Sequence, residues 1–533
     1  MNFSNLKHIF PMVALSLSLG LGSCVNDLDV EPIDPSTIMK PDFDALFNKC
    51  YANMALAGNF GPDSDDCDID GLDGGTTGFV RQLFNANELT TDEAICCWGD
   101  EGIPAFNYNQ WSASHPMLKG FYYRLYFGVT LCNFYLKEAE VYNEQMSAEV
   151  RFLRALYYYY LMDCWGNIAF MTEVSSEPAP QKSRAEVYAF IESELKAIEP
   201  LLADPKQNTY GRADKAAAWL LLSRLYLNAE VYTGTAQWQL ASEYANKVMT
   251  SGYALSKEST GGWSGYQKLF MADNDTNGAQ VEAILPLIQT GNQTAAYGCF
   301  FFLMQSTIKD DMLTYGGTPF NSSDSPWAGN RCRPDFVKKF FPNTSGEQLL
   351  ELDLKGMVQK AGDDRALLWS KERKFNVEKV SEFKHGFSVG KFNNWRSDGG
   401  ATTDAKFNDS DFFLMRAAEA WLTYAEAETR LGGAEHLANA KRAIDELRDR
   451  AHAPKQPAYS LDYILDEWSR EFYFEGRRRI DLIRHDKFSG GSYLWQWKGG
   501  SYDGTTFSSH LNIFAIPDTD LNANDNLQQN PGY

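Results

Sequence analysis

The C-terminal part of this 533-residue chain contains the sequence EWSREFYFEGRRRIDLIR, from Glu467 to Arg484. Its first half places Trp468 and Phe472 on one face of a helix that begins after Ser460, a residue type favoured at helix N-caps. Its second half alternates acidic and basic residues around Gly476, at spacings that permit ladders of ion pairs. We interpret these charges as a network that braces neighbouring helices, and we prefer this interpretation to a catalytic one.

Two further helices are predicted immediately before this segment. Residues 412–431 repeat alanine and aromatic residues every three or four positions, and they end at Gly432-Gly433, a pair suited to a left-handed helix stop. Residues 435–452 carry an apolar stripe of their own. Because small residues allow two helices to approach closely, these segments predict a helical hairpin.

The same residues resemble the C-terminal signature of the SusD/RagB family, which comprises surface lipoproteins of the Bacteroidetes. The Glu-Gly-Arg element at 475–477 and the Asp-Leu-Ile-Arg element at 481–484 are intact, whereas His485 stands where the family often has tryptophan. Residues 149–170 and 238–255 resemble further blocks of the family. The resemblance implies a mostly α SusD-like fold, in which tetratricopeptide-type helix pairs form a scaffold with long irregular loop insertions.

Helical patterns recur through the N-terminal half, where paired helices rich in small residues also favour tetratricopeptide-type units. Ser183 and Glu186 form the sequence of a capping box, and Ser147 is a second predicted N-cap. The run from Tyr157 to Tyr160 is predicted to lie in the core rather than to form a sugar platform. The predicted helices cover residues 41–57, 122–141, 147–166, 184–202, 216–231 and 236–250.

The N-terminus has the pattern of a bacterial lipoprotein signal. An apolar segment from Met12 to Leu21 is too short to span a membrane permanently. It ends in Leu21-Gly22-Ser23-Cys24, and small residues directly before a cysteine are typical of a lipoprotein cleavage site. We therefore predict a signal peptide at 1–23, lipidation of Cys24 and an acidic lipid-anchor leader at 24–40. An ordinary signal peptide with an incidental cysteine is the alternative.

The remaining residues, 41–533, are predicted to form one SusD-like domain. Its parts are an N-terminal half at about 41–255, a loop-rich insertion at about 256–410 and a C-terminal helical part at about 411–533. The formal net charge of -21 argues against nucleic acid as a partner, because a polyanion would be repelled.

Motifs for metals, cofactors and catalysis are weak. Residues 66–71, Asp-Cys-Asp-Ile-Asp-Gly, copy the opening half of a calcium loop, but Thr77 occupies the twelfth position, where glutamate is expected. The seven histidines have no metal-ligand spacing, and no Gly-x-Ser-x-Gly motif occurs. We therefore predict no metal, no cofactor and no enzyme activity. Paired carboxylates of a glycosidase are defined by their separation in space, so inspection of the sequence does not exclude them.

Two stretches without helical periodicity, 59–115 and 257–410, are the predicted location of the binding site. Aromatic rings beside carboxylates and amides suit a carbohydrate, whose apolar face stacks on the ring while its hydroxyls form hydrogen bonds. A buried Trp111, with Trp98 alone exposed, is a nearly equal alternative. The sequence does not place the two stretches side by side. The predicted ligand-binding residues are Trp98, Asp100, Tyr108 and Trp111 in the first stretch and Tyr315 and Trp327 in the second, with Tyr297 as a weaker candidate.

The resemblance also implies a function in nutrient uptake. We expect a lipid-anchored protein on the exterior of the outer membrane that captures an oligosaccharide or polysaccharide and delivers it to a SusC-like TonB-dependent transporter. A peptide-binding member of the same family is the first alternative. A surface glycoside hydrolase is the less favoured one.

Overall fold

Helices supply most of the framework in the computed structural model of the chain, which describes residues 41–59, 61, 67–139, 142–309, 312, 314–315, 318–319 and 326–533. At 314–315 and 318–319 the backbone alone is described. The expected signal peptide, Cys24 and the acidic leader lie outside the described residues. Residues Phe47–Tyr533 form one compact unit. Its division at about 255 and 410 stays a prediction.

The helices of the first 250 residues include the longest in the described part of the chain, and a π-helical turn, Asn85–Leu89, follows α3. In chain order they are α1 (Phe43–Ala52), α2 (Gly74–Thr77), α3 (Phe79–Phe84), α4 (Ile103–Tyr108), α5 (Pro116–Glu138), α6 (Glu144–Trp165), α7 (Arg184–Ile198), α8 (Lys215–Leu227), α9 (Ala229–Thr233) and α10 (Trp238–Met249).

Short helices occupy the stretch after residue 256, and longer helices return after residue 417. They are α11 (Phe300–Thr307), α12 (Pro334–Phe340), α13 (Leu354–Ala361), α14 (Ala418–Leu431), α15 (Ala434–Arg450), α16 (Leu461–Phe472), α17 (Arg478–Arg484) and α18 (Asp518–Ala523).

The strands of the described residues are short and pair only in twos, all antiparallel. The pairs are β1 (Ala94–Cys96) with β7 (Asn330–Cys332), β2 (Ile168–Ala169) with β3 (Gln181–Lys182), β4 (Ala283–Leu287) with β10 (Phe412–Arg416), β5 (Thr314–Tyr315) with β6 (Thr318–Pro319), and β8 (Leu368–Trp369) with β9 (Ser388–Val389).

The long helices pack against one another in chain order, which confirms the predicted scaffold of helix pairs. Helix α6 packs between α5 and α7, α10 packs between α8 and α14, and α14 also contacts α15 and α16. Tyr157 to Tyr160 on α6 are at most 7% exposed, so this run lies in the core as predicted. The hydroxyl of Ser183 caps α7 within the predicted capping box, and that of Ser460 caps α16.

Two local predictions are wrong. Helix α6 begins earlier than expected, because the side chain of Asn143, not Ser147, accepts the N–H of Met146 as the N-cap. Residues Phe412–Arg416 form a strand instead of the first turns of α14. The short run Phe-Phe-Leu-Met-Arg fits either periodicity, and pairing with the distant strand β4 decides in favour of the strand.

The charges of the C-terminal signature form a buried network, as predicted. The Glu471 carboxylate on α16 contacts the guanidinium groups of Arg365, Arg416 and Arg450, and Glu282 bridges the latter two at 2.8 and 3.0 Å. Burial opposes the charge on Glu471, but the three arginines outweigh it and lower the pKa of this carboxyl. One carboxylate thus connects α15, α16, β10 and the loop before β8.

Candidate functional site

The pairing of β1 with β7 brings the two irregular stretches together. Ile95 pairs with Arg331, and the contact continues beyond the strands, where the N–H of Cys97 donates to the carbonyl of Gly329 at 3.0 Å. The Trp98 indole N–H then donates to the carbonyl of Trp327 at 3.1 Å. This ladder therefore places Trp98 beside Trp327 although 229 positions separate them.

The C-terminal signature fixes the start of this ladder. The guanidinium of Arg478 donates two hydrogen bonds to the carboxylate of Asp92, at 2.8 and 2.9 Å, and Ser469 donates to Glu93 at 2.6 Å. Burial alone would raise the pKa of Asp92, but Arg478 and Lys339 reverse the effect and lower it. The buried ion pairs thus anchor the segment that leads into β1 and Trp98.

Three half-buried rings form a continuous arc at the end of the ladder. The ring centroids of Trp98 and Trp327 are 6.4 Å apart with an interplanar angle of 58°, and those of Trp327 and Tyr297 are 6.0 Å apart at 60°. We call Trp98, Trp327 and Tyr297 the aromatic arc. Because each ring is inclined by about 60° to its neighbour, the three rings do not form one flat platform.

Buried and half-buried rings support the arc from behind. Phe301 of α11 is 1% exposed and contacts Trp327 edge to face at 5.4 Å. Phe407 contacts both Tyr297 and Phe301, at 5.5 and 5.0 Å between centroids. The arc therefore rests on a packed base, which holds its rings in place before any ligand binds.

Charged groups flank both ends of the arc. The Arg81 guanidinium carbon lies 5.6 Å from the centroid of the Trp98 ring, and the Nε atom of Arg81 has no hydrogen-bond partner among the described residues. Burial lowers the pKa of Arg81, partly offset by Cys96 and the exposed Asp100. At the other end, the Lys406 ammonium donates to the Tyr297 hydroxyl at 2.8 Å. Such donors and acceptors match the hydroxyl groups of a polar neutral ligand.

The structure brings together some of the predicted ligand-binding residues and places others elsewhere. Trp98, Trp327 and Tyr297 meet in the arc, and Asp100 lies two residues beyond Trp98. For Tyr315 the structure gives a strand position and no side chain.

Two predicted residues lie elsewhere. Tyr108 contacts Trp497 at 5.7 Å between ring centroids, in a separate cluster that Tyr502 extends. Trp111 is 5% exposed, donates its indole N–H to the Tyr533 hydroxyl at 2.8 Å and packs on a buried phenylalanine. The alternative interpretation of Trp111 as a core residue is therefore the correct one, and its assignment as a ligand contact is wrong.

Sequence reasoning missed Arg81, Phe301, Lys406 and Phe407. Arg81 is one basic residue inside a short apolar helix, and Lys406-Phe407 occurs in a loop without any periodic pattern. No local signal identifies these residues, since the distant contacts with Tyr297 and Trp98 give them their place.

The acidic turn at 66–71 is partly described, with Asp66 outside the described residues. The Asp68 carboxylate contacts Lys49 at 2.8 Å and Arg124 at 2.9 Å. Its negative charge is therefore neutralised by cations of the chain itself. Across the described part of the chain no group of three or more histidine, cysteine, aspartate or glutamate side chains is arranged to hold a metal ion.

Preorganised rings on a helical scaffold are characteristic of a ligand-binding protein. Comparison with known protein families also indicates a binding protein. A family model described as "SusD family" matches residues 253–533, and one described as "Starch-binding associating with outer membrane" matches residues 83–227. The chain belongs to the SusD family, whose members are binding proteins and not enzymes.

Similar proteins extend the match over the whole chain. The "Starch-binding protein SusD" of Bacteroides thetaiotaomicron is 40% identical, and the alignment covers 99% of each chain. A SusD-like protein of Bacteroides fragilis has the same fold with a TM-score of 0.67 and 20% identity, over 94% of this chain and 99% of that one. A structure titled "Laminarin binding SusD-like protein" matches with a TM-score of 0.66 and 21% identity, over 92% and 99% of the two chains.

Within the described ranges no helix is both long and apolar enough to cross a membrane. All eight cysteines that the structure describes are free thiols.

Proposed function

We propose that this protein binds a glycan on the aromatic arc, outside the cell, and delivers it to a SusC-like TonB-dependent transporter in the outer membrane. The arc is the observation that supports this most strongly. Its three rings offer apolar faces to successive sugar rings, while Arg81, Asp100 and Lys406 offer charged hydrogen-bonding groups nearby. Binding and transfer require no chemical step.

The inclination of the rings favours a glycan that bends. Ring faces inclined by 58° and 60° do not all stack on a straight, flat chain, whereas α-1,4-linked glucose changes direction from one sugar to the next. The name of the 40% identical relative, starch-binding, supports the same choice. We therefore propose a starch-type α-glucan as the first ligand to test.

Anchoring through lipid on Cys24 fits this function. A lipid-anchored protein stays at the membrane where the transporter lies, and the description of the matching family model includes association with the outer membrane. The net charge of -21 disfavours nucleic acid and suits a neutral ligand better than an anionic one.

Isothermal titration calorimetry with maltoheptaose, laminarihexaose and an oligopeptide panel tests the proposal. We expect heat of binding with maltoheptaose, and we expect Trp98→Ala or Trp327→Ala to weaken the affinity about tenfold or more, because a central stacking ring is lost. Tyr142→Ala is the matched control, since Tyr142 is an aromatic residue outside the arc with 48% exposure.

The same titrations and two further measurements distinguish glycan binding from the alternative functions. Binding of peptides without any glycan would overturn the sugar proposal in favour of peptide capture. New reducing ends after incubation with polysaccharide would indicate a hydrolase. A large loss of melting temperature in Trp98→Ala would show that this ring serves the core rather than the ligand.

A further inference from the structure

A tight turn holds Trp263 at the surface, outside the aromatic arc. Thr260 and Trp263 exchange two backbone hydrogen bonds of 3.0 Å across Gly261-Gly262. The two glycines have φ values of 62° and 88°, as a turn with two left-handed central residues requires. The turn holds the Trp263 ring half-buried at the surface.

The Trp263 ring is fixed by a second tryptophan beneath it. It stacks on Trp395, with ring centroids 5.7 Å apart and an interplanar angle of 28°. Trp395 is 6% exposed and belongs to a buried apolar cluster that includes Trp369 and Leu354. Trp263 is therefore part of a rigid stack, so little conformational entropy is lost when a ligand packs nearby.

Trp263 is the ridge between two clefts. The first cleft, of about 710 Å³, has Trp263 and Trp369 in its wall, and the second, of about 890 Å³, has Trp263 and Trp395. Both volumes lie in the range of small-molecule binding sites. Gly399-Gly400, the other glycine pair of the insertion, borders the second cleft.

The charged groups of the clefts occur mainly as neutralised pairs. In the first cleft, Lys371 contacts Asp353 at 3.2 Å and lies 5.2 Å above the Trp369 ring. In the second, Arg396 contacts Asp398 at 2.8 Å. Paired charges offer donors and acceptors without a strong net field, and this suits a polar neutral ligand better than an ion.

One loop connects the second cleft to the aromatic arc. Residues 395–405 form a wall of the second cleft, and Lys406 and Phe407, the next two residues, contact Tyr297 of the arc. Consecutive residues of one loop therefore border the second cleft and contact the arc.

We propose that the two clefts divided by Trp263 are a second glycan-binding site, which takes a neutral polysaccharide chain across the Trp263–Trp395 stack. This inference rests on the proposed function and extends it. Contact at two sites raises the apparent affinity for a long chain over that for a short one, because the second contact forms at high effective concentration.

Affinity gel electrophoresis of the full chain in soluble starch or laminarin tests the second site separately from the first. Trp98→Ala with Trp327→Ala disables the arc. We expect this protein to retain residual retardation in the polysaccharide that retards the wild type, and we expect the added change Trp263→Ala to reduce this residual affinity about tenfold or more. Trp263→Phe should restore part of it, since a ring that stacks on Trp395 is kept.

Lys371→Ala is the second variant, because its side chain is 42% exposed and its loss leaves the apolar cluster intact. It should also weaken the residual retardation, with an unchanged melting temperature. If the arc variant shows no residual retardation, or if both added changes leave that retardation unaltered, the second site is refuted while the arc stands. If neither polysaccharide retards the wild type, the proposed function fails and the second site with it.

Discussion

At the residue scale, Gly329 determines whether Trp98 reaches its place in the arc. A Cβ atom added at Gly329 would approach Cε2 of the Trp98 indole to 2.3 Å, a distance that no relaxed structure tolerates. Gly329 also accepts the N–H of Cys97, so its backbone is fixed by the ladder and the indole has to move instead. The absence of a side chain at this position is therefore a requirement of the site.

We predict that Gly329→Ala weakens glycan binding several-fold through displacement of the Trp98 ring. Calorimetric titration with maltoheptaose measures the affinity, and tryptophan fluorescence reports the changed ring environment. Gly490→Ala is the matched control, because an added Cβ there meets nothing within 4 Å. An unchanged affinity in Gly329→Ala would contradict the role of Trp98 in the arc.

Asp411 gives a second prediction at this scale. Its buried carboxyl accepts the N–H of Gln289 at 2.7 Å and the hydroxyl of Tyr210 at 2.9 Å. Burial, reinforced by Asp275 and Asp409 and opposed by the two hydrogen bonds, raises the pKa of Asp411 from 3.8 to about 7. The native state therefore holds a proton that the unfolded chain releases at lower pH.

The sign of the pH dependence follows from this difference in bound protons. The contribution of Asp411 to stability is complete below its ordinary pKa and is lost as pH rises through about 7, by at most about 1.4 kcal/mol per pH unit. We predict that Asp411→Asn gains free energy of unfolding relative to wild type between about pH 5 and about pH 8. Denaturant titrations at both pH values measure it, and a constant difference between the two proteins would refute the assignment.

At the scale of elements, the helices follow from local sequence and the contacts of the site do not. Capping at Ser183 and Ser460 and the apolar stripes of the long helices depend on residues a few positions apart, so the sequence predicts them. The strand Phe412–Arg416 was missed because a partner more than a hundred residues away determines it. For the same reason, Trp98 and Trp327 were predicted individually, but not as neighbours.

The ion pairs of the signature give a prediction at this scale. Asp92 precedes β1 and is fully buried with Arg478 of α17 and Lys339 of α12. Asp92→Asn would remove the carboxylate that Arg478 and Lys339 share, although Lys339 keeps Asp466 at 3.1 Å and Arg478 keeps Glu93 at 3.7 Å. We therefore predict a loss of about 3 kcal/mol in the free energy of unfolding, the lower end of the range for a broken buried ion pair. Urea denaturation measures the loss.

Glu378→Gln is the control for this change, because Glu378 pairs with Lys374 on the exposed surface. Its stability should stay close to that of the wild type. Equal effects of Asp92→Asn and Glu378→Gln would show that the buried pair does not anchor the start of β1.

At the scale of the whole molecule, the scaffold, the insertions and the proposed lipid anchor have separate tasks. The packed helices hold the insertions, the insertions carry the arc, and Cys24 is proposed to keep both at the membrane. We predict that Cys24→Ala moves the protein from the membrane fraction to the soluble fraction without a change in glycan affinity. Fractionation of cells that lack the transporter, followed by immunoblotting, measures the distribution, and retention in the membrane fraction of those cells would contradict lipidation at Cys24.

A crystal structure of the protein soaked with maltoheptaose would show where the glycan binds. We predict sugar rings in contact with Trp98, Trp327 and Tyr297 of the aromatic arc, with hydroxyls near Arg81. An oligosaccharide bound at another surface, with the three rings untouched, would contradict it.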